Sequence, residues 1–71
     1  MEIDVLVFEI GSTTTVVNAF NISSEKPKFL AQGQAPTSIL SGDVTIGLNE
    51  AITDLKTQLK TQKLNIKETL A

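Results

Sequence analysis

Two β-rich apolar runs, Ile3–Ile10 ("IDVLVFEI") and Thr15–Ile22 ("TVVNAFNI"), are separated only by Gly11, Ser12, Thr13 and Thr14. A parallel connection needs a crossover of a dozen or more residues, so runs this close can pair only as an antiparallel hairpin. In the first run Ile3, Val5 and Val7 alternate with Leu6, Phe8 and Ile10, which predicts a strand covered on both faces. In the second, Val17 and Ala19 oppose Val16, Phe20 and Ile22. "SSEKP", Ser23–Pro27, is a turn cluster. "KFLAQGQA", Lys28–Ala35, reads as a third strand and a second hairpin, with Gly33 weakening it or marking a bulge.

After the loop "PTSILSG", Pro36–Gly42, the period changes. Val44, Leu48, Ala51, Ile52, Leu55 and Leu59 fall on one face of a helix running from Asp43 to about Lys63. Asp43 suits the N-cap, with Glu50 early and Lys56, Lys60 and Lys63 late, as the helix dipole favours. Gly47 is read as a point of close packing on the sheet. The tail "KLNIKETLA" reads as a loop entering a further strand that begins near Leu70. The fold class is therefore α+β, of α/β lineage: a three-stranded antiparallel sheet followed by one helix. The first strand is expected to have one open flank, so that the chain either dimerises through that edge at high concentration or folds its own tail, Leu64–Ala71, against it.

Composition removes several classes of function. With no cysteine and no histidine, disulfides, thiolate nucleophiles, the usual zinc sites and a histidine general base are excluded. Net charge is −2, no arginine is present, and the only aromatics are three phenylalanines, so nucleic-acid binding is not expected. No apolar run approaches the roughly 20 residues that span a bilayer, and Glu2 and Asp4 stand where a signal peptide would be basic. Neither a membrane partner nor secretion is expected, and the placement is cytoplasmic.

The chemistry concentrates in Gly11-Ser12-Thr13-Thr14. A tight turn can aim its amides at one point as an anion-binding nest, and hydroxyls add donors. Glu9, at the strand end, could hold a hydrated magnesium ion beside phosphates. A plain hairpin turn explains the same residues, since Gly-Ser opens many hairpins and threonine favours strands. The stretch is not a P-loop, because no lysine follows and no helix begins here. In either case Gly11 is expected to adopt a backbone conformation that a residue with Cβ disfavours. Asp4 and Glu9 face opposite sides and make no acid–base pair. Asn18, Asn21, Gln32 and Gln34 read as edge or solvated polar groups, and no residue is assigned a catalytic role.

"EIGSTTT" followed by "VVNAF" resembles the first phosphate motif of the actin, sugar-kinase and heat-shock-chaperone ATPase superfamily. With "AQGQAPTS" and "GDVTIGLNEAITDL" it resembles the N-terminus of the accessory proteins of glutamate mutase and related adenosylcobalamin-dependent aminomutases. These are the GlmL or MutL proteins, unrelated to the mismatch-repair protein. The resemblance runs from Asp4 to about Leu55. It implies a partial ribonuclease-H-like ATPase subdomain, with residues 1–71 an N-terminal fragment of a longer protein. It implies ATP and Mg2+ as cofactors of that protein, held only weakly by this fragment. Gly11, Ser12, Thr13 and Thr14 would contact phosphate, and Glu9 would approach the metal indirectly. The implied partners are the rest of the chain and a mutase subunit, and the implied role is ATP-driven reactivation, with any ATPase activity belonging to the full-length protein. Glu9 stands where most of the superfamily has aspartate, and Val16 where an activator branch has lysine. A small structural or protein-interaction module, pairing through an open sheet edge, is the alternative.

Overall fold

The computed structural model describes residues 1–23, 25–37 and 44–71. It contains β1 (Glu2–Ile10), β2 (Thr14–Ser23), β3 (Lys26–Pro36), α1 (Val44–Leu59) and β4 (Asn65–Leu70). The strands form one mixed sheet in the order β3-β2-β1-β4, with β4 parallel to β1 and the other pairs antiparallel. The three-stranded antiparallel sheet expected from sequence is thus corrected to four strands. The fourth starts at Asn65, not near Leu70, and runs from Glu2↔Asn65 to Val7↔Leu70. Of the two outcomes expected for the outer flank of β1, the tail folding against it is the one found.

β1 and β2 begin as the hydrophobic alternation requires, with Leu6 opposite Ala19 and Phe8 opposite Val17. The β1–β2 ladder starts only at Val5. Below it, the Asp4 amide donates to Asn21 Oδ1 at 2.8 Å and Asn21 Nδ2 donates to the Glu2 carbonyl at 3.1 Å. This side-chain insertion interrupts strict alternation. Ile3 and Leu6, three apart, both reach the same core, whereas Val5 and Val7 stay only partly covered. The expectation of a strand buried on both faces does not hold: α1 covers one face of the sheet.

β3 is longer than expected at both ends and takes in Pro27 and Pro36. An edge strand tolerates proline because its outer amides need no ladder partner. The β2–β3 register shifts by one between Ala19↔Ala31 and Phe20↔Phe29, leaving Leu30 as the bulged residue. Of the two readings of Gly33, a weakened strand or a bulge, the second does not hold, since the bulge is at Leu30. Past it, Ala31, Gly33 and Ala35 stand opposite Ala19, Val17 and Thr15. Three small residues in a row let the helix approach closely. A Cβ on Gly33 would lie 2.2 Å from the Ala51 carbonyl oxygen and 2.5 Å from the Leu55 nitrogen. Gly33 makes this close approach, and Gly47, read as a point of close packing on the sheet, is buried on α1.

α1 presents Ala51 and Leu55, both fully buried, with Leu48, Ile52 and Leu59 packed around them. Its Asp54 reaches the outer edge of β3, where Oδ2 accepts the Gln34 amide at 2.9 Å. The helix ends at Leu59, short of the expected Lys63. Lys60 takes a left-handed φ of 55°. Its amide reaches the Thr57 carbonyl at 3.2 Å and the Thr61 amide reaches the Lys56 carbonyl at 3.0 Å, the paired bonds of a left-handed helix stop. Glu50 lies beyond the first turn, which holds no acidic residue. Asp43, the expected N-cap, and most of the expected Pro36–Gly42 loop lie outside the described residues. No helix among the described residues is long and apolar enough to cross a membrane.

Candidate functional site

The β1–β2 turn is closed by one bond, from the Gly11 amide to the Thr14 carbonyl at 3.0 Å. Thr14 is already the first residue of β2, so the turn proper is Ser12 and Thr13. Gly11 does not take a left-handed φ. What excludes a side chain is the Thr14 carbonyl oxygen, 2.9 Å from where a Cβ would stand. The expected need for glycine is therefore met by close approach and not by an unusual dihedral. Gly11, Ser12, Thr13 and Thr14 are all exposed, and Ser12 makes no hydrogen bond among the described residues.

Because of the Leu30 bulge, Thr14 lies opposite Pro36 and Thr15 opposite Ala35. The end of β3 thus lies beside the turn, one residue short of where an unbulged ladder would set it. Thr13, Thr14, Gln34, Ala35 and Pro36 line an open cavity of about 330 Å3. Of the four residues proposed for phosphate, Thr13 and Thr14 line the cavity; Gly11 and Ser12 shape the turn that feeds it. Glu9 stands exposed at the end of β1, opposite Val16. It is not among the lining residues, and the described residues hold no group of three acidic side chains that could bind a metal ion by themselves.

Sequence reading missed the β3 side of the site. Gln34 was placed in solvent, and it is exposed, but it also faces the cavity. Thr37 was read only as part of a loop. Its amide donates to the Thr13 carbonyl at 3.0 Å, and its hydroxyl lies 2.9 Å from that of Thr15. The signal available was the hairpin register, which the bulge displaces by one residue. The site carries hydroxyls, a carboxamide and backbone groups, with no charged side chain in its lining. Such donors recognise an oxyanion by hydrogen bonding and leave its charge to be balanced by another group.

Charge is placed elsewhere. At the opposite end of the sheet, Asp4 Oδ2 accepts the Ile22 amide at 2.8 Å and Oδ1 lies 3.4 Å from Lys67 Nζ. The Ile22 amide, aided by Lys67 and opposed by partial desolvation, holds the Asp4 carboxyl below its ordinary value. Asn18, read as an edge polar group, accepts from Gln32 Nε2 at 2.8 Å across β2 and β3.

No curated protein and no solved structure matches the chain. A family model described as MutL protein matches residues 5–71, which takes in the turn, both hairpins, the helix and β4, and the chain accordingly belongs to that family, the accessory proteins of glutamate mutase.

Proposed function

We propose that the Gly11–Thr14 turn is the first phosphate loop of an ATP-binding accessory protein that reactivates an adenosylcobalamin-dependent mutase in the cytoplasm. Membership of the glutamate mutase accessory family supports the mutase system. The observation that carries the loop reading is the cavity itself. The exposed Thr13 and Thr14 open onto it beside the end of β3. The strand order β3-β2-β1-β4, with a helix crossing between β3 and β4, agrees with the ribonuclease-H-like subdomain that the resemblance implies.

In this reading the turn supplies neutral donors to the phosphates, and magnesium supplies the positive charge the turn lacks. Mg2+ keeps several waters and takes one or two carboxylates along with phosphate oxygens. Glu9, a single exposed carboxylate, fits that part only through a bound water and only when phosphate is present. The chain holds one side of the site, so its own affinity is low, on the order of millimolar. The rest of the protein would supply the nucleoside pocket and any hydrolytic residue.

The test is a titration of the 15N-labelled chain with inorganic triphosphate and Mg2+, with adenosine as control. Amide shifts centred on Gly11–Thr15 with triphosphate, and none with adenosine, are expected. A triphosphate response scattered over the lysines of α1 and β4, or none at all, sinks the phosphate-loop reading.

A further inference from the structure

Thr15 is the one fully buried polar residue among the described residues. Its position in β2 would suit valine equally well for strand formation, and burying a hydroxyl is unfavourable unless it is hydrogen-bonded. The fold therefore does not call for this hydroxyl, and its partner shows what it does. Thr15 Oγ1 lies 2.9 Å from Thr37 Oγ1, so the two hydroxyls share a hydrogen bond. Thr37 is partly buried just beyond the end of β3, and its amide donates to the Thr13 carbonyl at 3.0 Å.

That second bond reaches the loop. The Thr13 carbonyl and the Thr14 amide belong to one planar trans peptide, so they point in opposite directions. Holding the carbonyl toward Thr37 therefore fixes the plane of the whole Thr13–Thr14 peptide. The chain of contacts starts from a fully buried anchor, passes through Thr37 and ends at the peptide that joins the two loop residues lining the cavity.

We propose that Thr15 and Thr37 are positioning residues of the oxyanion loop. The buried Thr15 hydroxyl fixes Thr37, and Thr37 holds the Thr13–Thr14 peptide in place, so that Thr13 and Thr14 keep lining the cavity beside the end of β3 where a phosphoryl oxygen would sit. Neither residue touches the anion. The inference rests on the phosphate-loop reading and adds to it the device that holds the loop in its binding shape.

Thr15→Val keeps the shape of the side chain and removes only the hydroxyl. Its melting temperature is expected to equal or exceed that of the parent, because a buried polar group is lost. Its affinity for Mg2+-triphosphate, read from the Gly11 and Thr14 amide shifts, should fall about threefold or more, with faster exchange at the Thr37 amide. Thr15→Ser, which restores the hydroxyl, should bind like the parent. Thr37→Val removes the partner hydroxyl from the more exposed side and should lower affinity alike, so the result does not depend on Thr15→Val folding. Unchanged affinity in both valine variants overturns the positioning role and leaves the phosphate loop standing. Equal losses in Thr15→Ser and Thr15→Val overturn it too, since packing and not the hydroxyl would then be at issue. No response to triphosphate in the parent overturns this inference and the loop reading together.

Discussion

A Cβ on Gly11 would stand 2.9 Å from the Thr14 carbonyl oxygen; one on Gly33 would stand 2.2 Å from the Ala51 carbonyl oxygen and 2.8 Å from the Leu55 Cβ. Both glycines exist because backbone occupies the space of a side chain, and neither needs a left-handed dihedral. Their surroundings differ. Gly11 lies in an exposed two-strand turn that can shift by a few tenths of an ångström. Gly33 lies under a helix whose Ala51 and Leu55 are fully buried, so a displacement there must move the whole of α1. One glycine shapes the site and the other sets the distance between the two layers of the fold. The same local crowding thus has a local consequence in one place and a global one in the other.

The sharpest way to break this comparison is Gly33→Ala. The added methyl meets backbone atoms that cannot rotate away, so α1 has to lift and the bond from the Gln34 amide to Asp54 is strained with it. A loss of about 3 kcal/mol is expected, at the upper end for overpacking. That is a large share of the stability of so small a domain. Urea unfolding measures it, and a variant as stable as the parent would mean that the helix does not sit on β3 as described.

Gly11→Ala should cost less, about 1 kcal/mol, because the exposed turn can relax around a crowded methyl. Its effect on triphosphate shifts at Gly11–Thr15 should nevertheless be complete or nearly so. If Gly11→Ala and Gly33→Ala prove equally destabilising, the turn is a structural element and the contrast drawn above collapses.

The smallest effect is expected at the end of the sheet remote from the turn. The folded carboxyl of Asp4 titrates below its unfolded value, first through the Ile22 amide and then through Lys67. A depressed carboxyl contributes stability that is present above the unfolded pKa and is lost as pH falls through the folded one. The chain should therefore lose a little stability as the pH falls below 3.8, the ordinary value of the group. Asp4→Asn should remove that part of the acid dependence while leaving the turn's response to triphosphate unchanged. An acid limb identical in parent and variant would assign the effect to other carboxylates.

The hairpins and the helix were legible because their signals are local. Four residues between two β-rich runs permit little else, and Leu48, Ile52, Leu55 and Leu59 repeat at helical spacing. β4 was not legible in extent because "NIKETL" carries almost no alternation: Ile66 alone is partly covered, and the rest of the strand is exposed. An edge strand held by backbone pairing leaves little trace in side-chain pattern. The role of Gly33 was not legible because a Cβ clash depends on where a helix packs, which no window of sequence around Gly33 contains. At the site, Gly11–Thr14 could be found from residue type, while Gln34 and Thr37 depended on a register that the bulge had shifted.

The bulge at Leu30 also limits how the gene can drift. On its turn side Phe29 faces Phe20, and beyond it Ala31, Gly33 and Ala35 meet the helix. Deleting the codon for Leu30 alone would restore an unbroken ladder and keep every other pairing, with Phe29 on Phe20 and Ala31, Gly33, Ala35 and Pro36 still on Ala19, Val17, Thr15 and Thr14. Deleting or inserting one codon between Ala31 and Pro36 would instead slide the residues beyond it by one and turn each of their side chains to the other face of the sheet. Among relatives, length changes in this strand should therefore be tolerated at Leu30 and absent between Ala31 and Pro36, where they would change which side chains face the helix.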